Sequence, residues 1–182
     1  MRVWFNQWFS TAYHLIALMR AGSFGAFTFI GSSANPHMLY RLVCDEWQTE
    51  PALPVSEAYA QFALDFCREH SVDVFFPRRG LTLLSHFHAA FRAQGTVLAA
   101  GDAAVMDLLD DKAATYAFFK KHLPALVPAH RIAHSYEEFV AAYEALRPHC
   151  ARVCYKLTED EGATTFRVID DSILAAGDIA RK

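Results

Sequence analysis

Two lysines stand where a positive charge is poorly tolerated. Lys112 follows Asp111 at the start of a predicted helix over 111–122, where the macrodipole disfavours a cation by some tenths of a kcal/mol to ~1 kcal/mol. A bound anion there would remove the conflict. Lys156 falls inside the apolar run Val153–Leu157, a predicted strand. Alternation puts it on one face with Arg152 and Cys154, opposite Val153, Tyr155 and Leu157, where it needs a partner charge or a wet cleft. Either lysine suits a polyanion such as a triphosphate, as a mobile point charge with three donors. Two blander readings stay open: Asp107, Asp110 and Asp111 could neutralise Lys112 as a surface cluster, and Lys156 could be solvated.

Other chemistry-bearing residues carry weaker signals. His86 and His88 are two apart on a predicted helix and point to different sides, a poor metal pair. Cys150 and Cys154 have no second pair at zinc-knuckle spacing, so free thiols are expected and no protein-held metal. The chain has no Gly-x-Gly-x-x-Gly after its first strand, no Walker A sequence and no Gly-x-Ser-x-Gly elbow.

The elements that must position the lysines alternate between short apolar strands and amphipathic helices, the pattern of an α/β fold with a mostly parallel sheet. Strands are predicted at 2–5, 27–30, 73–77 and 97–99. A helix carries His14, Leu15, Leu18 and Met19. Asn35 and Pro36 suggest the cap and first turn of a short helix. Tyr59, Phe62, Ala63, Phe66 and Cys67 recur at helical spacing and predict a helix over 56–70. A further helix should run to about Gln94, where Gly95 ends it. After Gly101 two helices, 103–109 and 111–122, come with no strand between them. A proline-marked connection, 124–128, leads to a short strand around Arg131. Ser135 and Glu138 form a capping box ahead of the stripe Tyr136, Phe139, Val140, Tyr143 and Leu146. Strands at 152–157 and 164–169 then suggest a hairpin.

With 182 residues, 53% hydrophobic and 20% charged, the chain can bury a real core. Its formal charge of −3 offers no basic stripe for nucleic acid. Leu15–Met19 is too short for a membrane span or signal-peptide core, and four cysteines without an export signal point to reduced thiols and a cytoplasmic protein.

One ordered series runs through nearly the whole chain: Asp73-Val74-Phe75-Phe76-Pro77, then Gly95 and Val97, then Asp111-Lys112-x-x-Thr115-x-x-Phe118, a proline-marked strand, and Val153-x-x-Lys156. It resembles the opening of ATP-grasp enzymes, in particular the carbamoyl-phosphate synthetase and biotin carboxylase group. The resemblance implies a three-layer, mostly parallel, Rossmann-like pre-ATP-grasp domain over 1–101. Linker helices and an incomplete α+β ATP-grasp N-terminal lobe would follow over 102–182. It also implies ATP as cofactor, its phosphates held by Lys112 and Lys156, and magnesium.

The implied reaction activates a small carboxylate as an acyl phosphate for attack by an amine or similar nucleophile. By the same analogy the carboxylate substrate would lie at the carboxyl ends of the first domain's strands, at the loops 6–11, 31–35 and 77–80. Arg78 and Arg79 would suit a carboxylate, and Ser10, Thr11 and Ser32 could help hold it. Capping hydroxyls and solvated arginines are the plainer alternative. The loop after Lys156, Thr158-Glu159-Asp160-Glu161-Gly162-Ala163, departs from the glycine-rich loop of the family: its three acids repel a triphosphate unless a metal bridges them. The family's magnesium ligands lie in a later lobe, so the expectation is a chain that continues past Lys182 and is inactive alone. A homodimer is compatible with this reading, and a non-catalytic α/β binding module is the alternative to it.

Overall fold

The structure, a computed structural model, describes residues 1–22, 25–159 and 165–169. It divides into two compact units, Met1–Asp107 and Leu108–Lys182.

The first unit contains a five-stranded, all-parallel sheet built from β1 (Arg2–Asn6), β2 (Thr28–Ser33), β3 (Glu46–Thr49), β4 (Val74–Pro77) and β5 (Val97–Leu98), in the order β3-β2-β1-β4-β5. The middle strand is buried on both faces, which is why β1 reads as an unbroken apolar run. Trp4 joins Ile30, Phe75 and Leu98 on one face, packed against Tyr59, Ala63 and Phe66 of α2 (Glu57–Glu69). Val3 and Phe5 join Phe29 on the other, against Ala12 and Ile16 of α1 (Thr11–Ala21) and Tyr40 of a 3-10 turn at Leu39–Val43. The result is the three-layer α/β arrangement expected.

Local chemistry explains the departures from expectation. β2 runs on through Gly31, Ser32 and Ser33 instead of opening a loop there. A side chain at Gly31 would collide with Cys44 and Trp47, at 2.6 and 2.8 Å. Asn35 caps no helix; its Oδ1 accepts from the His37 amide at 2.9 Å in a side-chain turn. β3 is an additional strand whose polar, short sequence hid it. The predicted helix ending near Gln94 is two, α3 (Leu81–Ser85) and α4 (His88–Ala93). The Ser85 hydroxyl donates back to the Thr82 carbonyl at 2.6 Å and competes with helix continuation.

The second unit holds the end of α5 (Ala103–Asp110), then α6 (Lys112–His122), α7 (Tyr136–Leu146) and the antiparallel pair β6 (Val153–Tyr155) and β7 (Arg167–Ile169). Half of the capping box forms: Ser135 Oγ accepts from the Glu138 amide at 3.1 Å, while Glu138 Oε2 accepts from the amide of His134, one residue before the cap, at 2.7 Å. No strand forms around Arg131, since β6 pairs with β7 and no ladder partner is left for that segment among the described residues. The predicted start of the last strand, Thr164, lies outside the described residues.

Burial also sets thiol chemistry. Desolvation pushes the Cys44 and Cys67 thiols up to about 12, with Asp45 adding to the effect at Cys44. Both should react with iodoacetamide at pH 8 at least about tenfold more slowly than exposed Cys154. Their raised values keep the native state protonated. Stability is therefore fully present below the ordinary thiol value of 9.0 and is lost as pH rises toward 12. Melting followed from pH 7.5 to 10.5 should show a falling midpoint; a flat profile would mean these thiols are solvated.

Candidate functional site

In an open parallel sheet, ligands settle outside the carboxyl ends of the strands where the strand order reverses. Here that point lies between β1 and β4. Their last residues, Asn6 and Pro77, are in register, and Asn6 is also paired with Ser32 of β2. Asn6 is fully buried and ties these ends together. Its Oδ1 accepts from the Arg78 amide at 2.6 Å, while its Nδ2 reaches the Tyr59 hydroxyl at 2.6 Å and the Arg79 carbonyl at 3.1 Å. The 77–80 loop is thus pinned by a β1 side chain. Gly80 closes it at φ 68°, where a side chain would be strained and would press on the Tyr59 ring at 3.2 Å.

Beneath this lies a buried carboxylate, Glu50, directly after β3. Its side chain is wholly removed from solvent. It accepts from Ser32 Oγ at 2.7 Å, Gln7 Nε2 at 3.0 Å and the Tyr59 hydroxyl at 3.1 Å. The Arg79 guanidinium stands 3.5 Å away, lies over the Tyr59 ring at 4.4 Å and donates to the Leu53 carbonyl. Burial first, and then the Glu50 charge, push the Tyr59 hydroxyl well above its ordinary range, so it stays a donor. Gln7 takes a left-handed backbone (φ 45°) held by its amide bond to Ser32 O at 2.7 Å and by Glu50.

The predicted substrate residues therefore separate. Ser32 and Arg79 are engaged inside this network, and Ser32 sits in a buried strand, not in a loop. Ser10 and Thr11 are exposed at the start of α1, where the Ser10 side chain makes no cap bond. Arg78 lies over the ring of Phe9 at 4.9 Å, on the residue next to Ser10. Glu50 and Tyr59 were not predicted as site residues, and Asn6 and Gln7 only as part of the 6–11 loop; an asparagine ending an apolar strand and a glutamate just before Pro51 were the available signals.

The two lysines both belong to the second unit and meet at the segment after β6. Lys112 Nζ and the Lys112 amide each donate to the Thr158 carbonyl at 3.0 Å. Lys156 Nζ lies over the ring of Tyr116, one turn along α6 from Lys112, at 5.4 Å. Lys156 follows β6 instead of lying within it and is exposed, which corrects the expectation of a charge embedded in an apolar strand. Two of the aspartates nearby make bonds of their own: Asp111 Oδ1 accepts from the Ala113 amide at 2.7 Å, and Asp107 bonds His86 at 2.9 Å. Of the acidic loop, Asp160 to Ala163 lie outside the described residues. Among the described residues no three His, Cys, Asp or Glu side chains are grouped to hold a metal ion, and no helix is long and apolar enough to cross a membrane.

No protein-family model and no curated protein matches this sequence. Solved structures do match its fold. The biotin carboxylase domain dimer of Hydrogenobacter thermophilus 2-oxoglutarate carboxylase, in complex with MgADP, ADP and bicarbonate, superposes with a TM-score of 0.61 at 19% identity. The match covers 97% of this chain and 39% of that one. Rhizobium etli pyruvate carboxylase gives 0.59 at 18% identity, over 96% of this chain and 16% of that one. N5-carboxyaminoimidazole ribonucleotide synthetase from Thermotoga maritima gives 0.55 at 14%, over 96% and 42%. The chain thus spans about two fifths or less of these proteins. Its fold is that of the N-terminal region of biotin carboxylase domains and of N5-carboxyaminoimidazole ribonucleotide synthetase, the ATP-grasp fold expected from the sequence.

Proposed function

We propose that this chain is the N-terminal portion of an ATP-dependent ligase of the ATP-grasp type. Residues 1–101 would be the pre-ATP-grasp domain and 102–182 the beginning of the nucleotide-binding domain. The observation that carries the reading is the meeting of Lys112 and Lys156, from separate elements, at Tyr116 and Thr158. Two ammonium groups so arranged fit a polyphosphate. Lys112 and Lys156 would hold ATP, with magnesium accompanying its phosphates. When bound, ATP supplies the phosphoryl group that activates a carboxylate.

Arg78, with Ser10 and Thr11, would hold that small carboxylate substrate. Ser32 and Arg79 would act by fixing the floor beneath it. The fragment alone would not turn over, and the protein would work in the cytoplasm. Homodimerisation fits the dimeric biotin carboxylase neighbour. A second reading, a non-catalytic small-ligand module, is favoured by the acids Glu159, Asp160 and Glu161 following Lys156.

Calorimetry with ATP and magnesium separates the two. Saturable binding should weaken about tenfold or more in Lys112→Ala and in Lys156→Ala, the loss of one charge-assisted contact of ~1.5–3 kcal/mol. Binding that is absent, or unchanged in both variants, would end the nucleotide assignment.

A further inference from the structure

A third group of cations lies in the second unit, away from the two lysines assigned to nucleotide. From Lys112 to His134 the sequence contains no aspartate or glutamate, although the chain as a whole carries −3. Within this stretch a hollow of about 160 Å³ is lined by Lys120, Pro124, Val127, Pro128, His130 and Arg131. Three of these are basic, and they come from two different segments: the last turn of α6 and the loop that follows it.

The helix dipole explains part of this, since cations in the last turn of a helix are favoured. It accounts for Lys120, Lys121 and His122. It does not account for His130 and Arg131, which lie beyond the helix and beyond Pro124 and Pro128 yet border the same hollow. Nor are these cations ion-paired: no carboxylate partner is recorded for Lys120 or Arg131 among the described residues. Arg131 uses Nη1 on the His130 carbonyl at 3.0 Å and keeps its other donors. His130 Nδ1 bonds the Pro128 carbonyl at 3.1 Å; a carbonyl can only accept, so Nδ1 carries the hydrogen, and Nε2 of the neutral ring is an acceptor able to take the O–H of a phosphate. The His130 ring packs edge-on against Tyr116 at 4.8 Å, which fixes its position.

We infer that this hollow is an anion site for a single phosphoryl or similarly sized oxyanion group. Pockets for drug-sized ligands run to about 300–1,000 Å³, so a hollow of about 160 Å³ matches one small anion better than a whole nucleoside. Lys112 and Lys120 are about two helical turns, or ~12 Å, apart along the axis of α6, which separates the Lys120 end of the hollow from Lys112. Tyr116, between them on the same helix, touches both Lys156 and His130 and joins the two regions.

The test is an amide-resolved NMR titration of the 182-residue chain with inorganic phosphate, against sodium chloride at matched ionic strength. Saturable shifts confined to 120–131 are expected with phosphate and not with chloride. The exposed double variant Lys120→Ala, Arg131→Ala should weaken binding at least about tenfold, two charge-assisted contacts having been lost. Lys112→Ala, Lys156→Ala should leave it within about twofold, so the outcome is separate from that of the nucleotide assignment. A parallel titration with ribose 5-phosphate distinguishes free phosphate from a phosphate ester: tighter binding of either one supports the site and names its source. Shifts that chloride reproduces, that do not saturate, or that persist in the Lys120/Arg131 variant would overturn the proposal. So would loss of phosphate binding only on removal of Lys112 and Lys156.

Discussion

Glu50→Ala should lower the unfolding free energy of the first unit by about 3–5 kcal/mol, the range for removing one partner of a buried charged pair. The residue is a hub: Gln7, Ser32 and Tyr59 all donate to its carboxylate, and the Arg79 guanidinium stands 3.5 Å away. Without it, Arg79 keeps its charge in a site where its Nη1 already lacks a hydrogen-bond acceptor. Tryptophan fluorescence is a selective readout, because Trp4, Trp8 and Trp47, the only tryptophans, all lie in the first unit. Urea titration should show a lower midpoint. Arg79→Ala should cost less than Glu50→Ala, since an alanine there leaves Glu50 three neutral donors. The double variant should cost less than the sum of the singles by about 1 kcal/mol or more, as expected for residues in one network. A Glu50→Ala effect below about 1 kcal/mol would mean that water, not the protein, satisfies this carboxylate.

The same hub shows why parts of the molecule were legible in the sequence and others were not. The α2 stripe is local: Tyr59, Ala63 and Phe66 recur with the helical period, and the pattern alone orients the helix. The Ser135 cap on the Glu138 amide is likewise made within a few residues. β1 and β4 could be read because both faces of central strands are apolar. β3 could not, because Glu46, Gln48 and Thr49 belong to a short, polar edge strand in which Trp47 is the one apolar residue. Glu50 gathers donors from the ends of β1, β2 and α2 and from the loop after β4, which no spacing rule connects. For the lysines, ordering along the chain was enough to single them out. Tyr116, the ring beneath Lys156, falls one turn after Lys112 on α6, but its contact with Lys156 crosses forty residues and no spacing rule reveals it. The Lys156 strand assignment failed because alternation does not say where pairing stops; the β6–β7 register ends at Tyr155 opposite Arg167.

Trp4 connects that core to the Glu50 network, and its replacement should be as damaging. The indole is fully buried, stacked on Phe75 at 3.9 Å and on Phe66 at 4.1 Å, and its Nε1 donates to Ser32 Oγ at 2.7 Å. Trp4→Ala removes the ring and leaves a cavity, which costs about 3–5 kcal/mol. Trp4→Phe keeps most of the stack and loses the hydrogen bond, about 1–2 kcal/mol. The gap between the two variants measures how much of the contribution is packing. Ser32 still donates to Glu50 in Trp4→Phe, so the carboxylate keeps its partners and the loops at the carboxyl ends of the strands should keep their positions. If Trp4→Phe proved as destabilising as Trp4→Ala, the indole hydrogen bond, and through it the Ser32–Glu50 pair, would be the dominant link between the sheet and the ends of its strands. If it proved nearly silent, aromatic packing on β1 would be enough to build the platform on which the site stands.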